Sequence, residues 1–194
     1  MGVGLAQLDP ESGRCERLAR EGDWRYWRPI SEDFHLGVQV LREGDHIYVF
    51  GSTRVGMTTE ARLARVPVDR ITEPDAYEFL ASPDPAWARD PESACSLGPC
   101  ASDYSVSFNP YLKKYVMFYV DAYTTGLTMR TAHRLVGPYT SPQRLATVPR
   151  RPTSELVYLG FEHPKFRHEG GRVVYISFSE PRFAANSLVK LRFA

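Results

Sequence analysis

The stretch that decides the fold is Asp103-Tyr-Ser-Val-Ser-Phe-Asn-Pro-Tyr-Leu-Lys-Lys-Tyr-Val-Met-Phe-Tyr-Val-Asp121, followed after a short polar turn by Leu127-Thr-Met-Arg-Thr-Ala132. A short first strand meets an Asn-Pro turn, and a run of aromatic and β-branched residues follows, which is the signature of a β-hairpin. Residues 127–132 then alternate apolar and polar side chains, as a strand with two different faces does. The pattern recurs on both sides. Upstream it reads His35-Leu-Gly-Val-Gln-Val-Leu-Arg-Glu-Gly-Asp-His-Ile-Tyr-Val-Phe-Gly-Ser52, with Ala61-Arg-Leu-Ala-Arg-Val66 as third strand. Downstream it reads Glu162-His-Pro-Lys-Phe-Arg-His-Glu-Gly-Gly-Arg-Val-Val-Tyr-Ile-Ser-Phe-Ser179, with Leu188-Val-Lys-Leu-Arg-Phe193. A fourth strand is expected around 77–80 in the first repeat and 143–146 in the second.

Repeated antiparallel meanders of this size are the blades of a β-propeller. The fold class expected is therefore all-β: four-stranded blades at 35–81, 103–146 and 162–194 in a single domain. Residues 1–20, which contain a strand at 3–8 and the turn Asp9-Pro10-Glu11-Ser12-Gly13, read as the remnant of a preceding blade. Propellers close with about four to eight blades. Three blades and a part predict a partial or truncated ring whose open blade edges are available for self-association. The proline-rich segments 82–101 and 147–156 read as connections between blades.

The 194 residues carry 24 Lys and Arg against 23 Asp and Glu, a formal net charge of +1, so bulk charge offers no attraction to nucleic acid or an anionic membrane. No apolar run approaches the ~20 residues of a membrane span. The first residues lack the basic and apolar regions of a signal peptide. Cys95 and Cys100 are close enough in sequence for a small loop disulfide and read equally well as two thiols; Cys15 stands alone. No second cysteine pair completes a metal site, and no cofactor is expected. A phosphate-binding glycine loop, a Gly-x-Ser-x-Gly elbow and a His-Glu-x-x-His motif are all missing. So are the Asp-box of sialidase propellers and the Trp-Asp dipeptide of protein-binding ones.

Tyr104 to Tyr119, with Met129-Arg-Thr-Ala132 and Gly137-Pro-Tyr-Thr-Ser-Pro142, resembles the bacterial domain-of-unknown-function family 4185, whose characterised relatives include endo-D-arabinanases. Arg62-Leu-Ala-Arg-Val-Pro67 and Tyr77-Glu-Phe79 fit the same pattern. The Gly-Pro-aromatic turn is shared with five-bladed glycosidases such as glycoside hydrolase family 43. The resemblance covers most of residues 3–194. It implies a five-bladed propeller with a glycan site at one end of the central channel, and a family whose members are often secreted.

Glycoside hydrolysis uses two carboxyl groups, one of which holds a proton near neutral pH. Propeller sites form where innermost strands begin. Glu162, in Phe161-Glu-His-Pro164, resembles the general-acid position of family 43, although His163 stands where that family has a small residue. Asp103, opening the second repeat, is the expected supporting carboxylate. His163, His35, Arg130, Tyr104, Trp27 and Phe161 are the candidate substrate contacts: imidazoles and a guanidinium for hydroxyls or a carboxylate, aromatics as stacking platforms. A central-channel metal ion near a histidine occurs in some five-bladed glycosidases but is not indicated by one His. The function expected is a glycoside hydrolase-like module acting on a bacterial or plant polysaccharide, arabinan-like by resemblance. The alternative is a non-catalytic carbohydrate-binding or structural propeller segment lacking part of the active site.

Overall fold

A computed structural model describes residues 4–18, 34–149, 156–180 and 185–194. The described chain is all-β, with antiparallel sheets and only three-residue 3-10 turns as helix. None of those helices is long and apolar enough to cross a membrane. In chain order the strands are β1 (Leu5–Leu8), β2 (Cys15–Leu18), β3 (Phe34–Glu43), β4 (His46–Val55), β5 (Thr58–Pro67), β6 (Glu78–Ser82), β7 (Ala86–Ala88), β8 (Pro99–Cys100), β9 (Ser105–Asn109), β10 (Lys114–Val120), β11 (Gly126–Ala132), β12 (Gln143–Thr147), β13 (Tyr158–Glu162), β14 (Val173–Glu180) and β15 (Ala185–Arg192). The chain divides into two compact units, Met1–Arg54 with Arg62–Cys95, and Val55–Ala61 with Ser96–Ala194.

In the first unit β1 and β2 form a hairpin of their own, closed by the expected turn. Asp9 makes that turn: its Oδ1 accepts from the Glu11 amide at 2.9 Å and its carbonyl from the Gly13 amide at 2.9 Å. The main sheet of this unit runs in the order β3-β4-β5-β6-β7. Its core comes from alternate residues along the strands: Phe34 and Leu36, Val49, Ala64 and Val66, then Tyr77 and Phe79. Phe34 meets Phe79 edge-on at 6.2 Å, and the Tyr77 hydroxyl donates to the Ile71 carbonyl at 2.8 Å. Segment 82–101, read from its prolines as a connection, contains β7 and β8. Only three residues long and two, these strands are too short for periodicity to register.

The second unit contains two sheets, four-stranded β9-β10-β11-β12 in sequential order and three-stranded β13-β14-β15. They pack through one apolar layer: Val116, Phe118 and Val120 of β10, and Leu127 and Met129 of β11, against Val174, Ile176 and Phe178 of β14. Every residue of this layer is buried, and each large side chain contributes about 1.5–3 kcal/mol relative to exposure. Gly160 permits a second close approach. A Cβ built there would stand 2.5 Å from the Val120 backbone nitrogen, and its φ of +130° disfavours any side chain.

The third repeat begins earlier than its sequence pattern suggests. Its first strand is β13, so Glu162 closes that strand instead of opening one; residues 163–171 form a loop with two 3-10 turns, at Pro164–Phe166 and Glu169–Gly171. Pro164 supplies the physical reason: proline fixes φ and lacks an amide to donate, so the strand ends before it and the turn starts on it.

Candidate functional site

β9 and β13 lie side by side in the same direction, joined by side chains. Ser105 Oγ donates to the Gly160 carbonyl at 3.2 Å and accepts from the Glu162 amide at 2.9 Å. Two residues on, Ser107 Oγ donates to Glu162 Oε2 at 2.5 Å, and Asn109 Nδ2 then reaches the Gly171 carbonyl at 2.9 Å. Alternation along β9 places Ser105, Ser107 and Asn109 on one face, and all three are buried.

Glu162 is at the centre of this seam. Its side chain is 1% exposed and is gripped by Arg167: Nε to Oε1 at 2.6 Å and Nη2 to Oε2 at 2.8 Å. Arg167 also donates to Ser107 Oγ at 2.6 Å and to the Phe108 carbonyl at 2.5 Å. The guanidinium thus holds both carboxylate oxygens, and the Ser107 hydroxyl also reaches Oε2. Glu162 therefore fastens the loop after Pro164 to β9.

Asp103 sits two residues before Ser105, half-buried, with Ser102 Oγ donating to its Oδ2 at 3.0 Å. Glu162 is level with Ser105 to Ser107. The offset along the strand is two to four residues, about 7–13 Å, a range that exceeds the ~5–5.5 Å of a retaining pair and includes the ~6.5–9.5 Å of an inverting one.

The clasp shapes what lies on the other side of the sheet. The Pro164–Phe166 turn, closed by the Phe166 amide donating to the His163 carbonyl at 3.0 Å, sends Arg167 inward to Glu162 and leaves Phe166 and His168 on the pocket side. There His163, Phe166, His168, Tyr175 and Leu188 line an open pocket of about 310 Å³. His163 Nε2 is 2.9 Å from Ser177 Oγ, and the His163 and Phe166 rings are 6.2 Å apart. His168 meets Tyr175 edge-on at 5.9 Å, held by a two-way backbone bridge to Val173 at 3.1 and 3.2 Å. Tyr175 lines the pocket and Ser177 lies on the same face of β14, while Val174, Ile176 and Phe178 face the core. Phe166 and Leu188 are 64% and 61% exposed, so the pocket opens to solvent. Its lining holds two imidazoles and no carboxylate.

The remaining candidates fall elsewhere. Tyr104 is fully buried, so its ring faces are spent on packing and cannot serve as a stacking platform. Phe161 is half-buried in β13, paired across to Ser177 of β14. His35 lies on β3 of the other unit, exposed and paired with Ser52. Trp27 is outside the described residues.

Arg130 is 4% exposed and donates to three backbone carbonyls, Thr140 at 2.7 Å, Pro99 at 2.9 Å and Tyr139 at 3.3 Å. Gly98, at φ +94°, lies against its guanidinium, where a Cβ would come within 2.4 Å of Nη2. Burial lowers the Arg130 pKa and pushes the neighbouring Tyr119 phenol up to about 12. Arg130 thus fastens loops instead of facing a ligand. All three cysteines are free thiols, and burial pushes Cys95 up. Among the described residues no group of three or more His, Cys, Asp or Glu is placed to hold a metal.

The sequence points to His163 but not to Phe166, His168, Tyr175 or Leu188. Tyr175 and Leu188 carry only the ordinary alternation of a strand. The spacing of Phe166 and His168 becomes meaningful once the loop after Pro164 is known to turn.

The family model described as "Domain of unknown function (DUF4185)" matches residues 12–182. Among solved structures, the chain is similar to the crystal structure of a "putative hydrolase" from Bacteroides ovatus, with a TM-score of 0.55 and 20% identity over 74% of this chain. The chain spans 38% of the length of that structure. At this identity the likeness is one of fold. No curated protein matches the chain.

Proposed function

The chain belongs to the family of domains of unknown function DUF4185, and from that premise we propose that it is a carbohydrate-binding module of a hydrolase-like β-propeller protein, with its glycan contact at the His163–Phe166–His168–Tyr175 pocket. The observation that carries this reading is the pocket lining. Exposed aromatic rings offer flat apolar faces to the C–H side of a sugar, and the His163 and His168 imidazoles supply the polar edge of the lining. A volume of about 310 Å³ suits one sugar ring with its neighbours left in solvent. The sequence resemblance to arabinanases supports a polysaccharide, arabinan-like first.

Glu162 serves this site as a positioning residue: through Arg167 it fixes the loop that carries Phe166 and His168. Hydrolysis with Glu162 as proton donor is the competing reading, favoured by its place one residue before His163. The two separate in a product-release assay on an arabinan and xylan panel. The binding reading expects no reducing ends from the wild type and retained glycan binding by Glu162→Gln. Release of sugar by the wild type, abolished in Glu162→Gln, would establish the hydrolytic reading instead.

A further inference from the structure

His168 stands between two anchors on β9. One residue before it, Arg167 donates to Ser107 Oγ and to the Phe108 carbonyl. Three residues after it, the Gly171 carbonyl accepts from Asn109 Nδ2 at 2.9 Å. The turn between these anchors is a costly one. Glu169, Gly170 and Gly171 have φ of +51°, +64° and +98°, in the left-handed region that a glutamate enters only against its steric preference. The Gly171 amide donates to the His168 carbonyl at 3.0 Å, so the place of Gly171 fixes that of His168. On the solvent side the turn has the Glu169–Arg192 ion pair, which is half-exposed and contributes little for that reason. Asn109 is fully buried, where its hydrogen bonds have no water to replace them.

We propose that Asn109 is a positioning residue for the pocket: through Gly171 it holds His168 against Tyr175 before a ligand arrives. The ligand in this inference rests on the glycan reading; the positioning itself does not. One amide group serves two elements. Asn109 Oδ1 accepts from the Leu112 amide at 3.0 Å and shapes the turn between β9 and β10, while Nδ2 donates across to Gly171. A serine or an ionised aspartate could serve the turn but has no donor to reach Gly171. Gly171 matches it. A Cβ there would stand 2.9 Å from Asn109 Oδ1 and 3.1 Å from Pro110 Cδ, so any other residue would press the turn away from the asparagine. The His168 ring, edge-on to Tyr175 at 5.9 Å, is a wall of the pocket, and a wall already in place spares the ligand the entropy of ordering it. The shape of the pocket is thus held by β9, a strand that supplies none of its lining residues.

Imidazole NMR of the whole labelled chain at pH 8, beside a thermal melt and calorimetry with an arabinan-like oligosaccharide, tests this. In the wild type the ring current of Tyr175 should displace the His168 ring protons from the position of the exposed His133. Asn109→Ser keeps an acceptor for the turn and removes the donor to Gly171. It should move the His168 resonances most of the way to the exposed position and weaken oligosaccharide binding at least about fivefold. Gly171→Ala should do the same with the asparagine still present. Val116→Ala, a cavity in the core layer, should lower the melt and leave the His168 resonances in place, which separates positioning from general loss of stability. His168 resonances unmoved in both Asn109→Ser and Gly171→Ala would overturn the proposal. So would an equal displacement in Val116→Ala, or displaced resonances with binding as tight as the wild type. Resonances that move as stated, in a chain whose wild type does not bind the oligosaccharide, would uphold the positioning and sink the glycan reading instead.

Discussion

At the scale of single residues, the account turns on Glu162 and Arg167. With side chains 1% and 11% exposed, this pair has been taken out of water, and its worth depends on both partners being present. Removing only the arginine leaves a buried carboxylate without its counter-charge, at a cost of about 3–5 kcal/mol. Arg167→Ala should therefore lower stability by that amount in urea unfolding, while Glu162→Gln, which keeps a carbonyl acceptor for the fork, should cost less. Equal, small losses would mean that the clasp is not formed in solution. Tyr119 gives a prediction with a pH sign. Burial raises its folded pKa to about 12 from the ordinary 10, so the folded protein holds the phenolic proton more tightly than the unfolded chain. Stability is full below pH 10 and falls as pH rises from 10 towards 12, and Tyr119→Phe should flatten that alkaline limb. Glu162 and His163 were both legible in the sequence because a Glu-x-Pro at a strand boundary is conspicuous. Arg167 was not, since its pairing across five residues exists only after the turn on Pro164 is made.

At the scale of elements, strand identity followed from alternation and burial. Segments 115–120, 127–132 and 173–176 lie inside observed strands, and 188–193 overruns β15 by one residue, because each has one face in the core layer of the second unit. Boundaries depended on turn chemistry and were less legible. β13 contains Gly160 and has a register shift between Leu159 and Phe161, which breaks the alternation by which a strand is recognised. Gly160 is also the position where the two sheets approach most demandingly. Gly160→Ala should destabilise the chain by at least about 1 kcal/mol, because the new methyl would meet backbone and not a movable side chain. A melt unchanged by that substitution would contradict the described placement of β13 against β10. The β10–β11 connection behaves differently. Asp121 Oδ1 accepts from the Tyr123 and Thr124 amides at 3.1 and 2.7 Å. Burial would raise its pKa, but those hydrogen bonds outweigh it and hold the carboxyl below its ordinary value. Its small contribution is present above the ordinary aspartate pKa and lost as pH falls below it. Asp121→Asn should therefore shift the acid limb of the stability curve and leave the alkaline limb alone.

At the scale of the whole molecule, an all-β chain of antiparallel meanders was legible from its repeats, and the family match over residues 12–182 agrees with the resemblance carried by residues 104–142. The pocket was not legible. It is made by one loop and two adjacent strands meeting on the face of β13-β14-β15 away from the core, and no linear motif encodes that meeting. This pocket, and not the Glu162 carboxylate, is proposed as the place where the molecule touches a glycan. Titration calorimetry of an arabinan-like oligosaccharide into the wild type and into Tyr175→Ala tests it most directly. Measurable binding by the wild type and a loss of at least about tenfold in Tyr175→Ala are expected, with the fold intact by circular dichroism. Binding of equal strength in both proteins would contradict it.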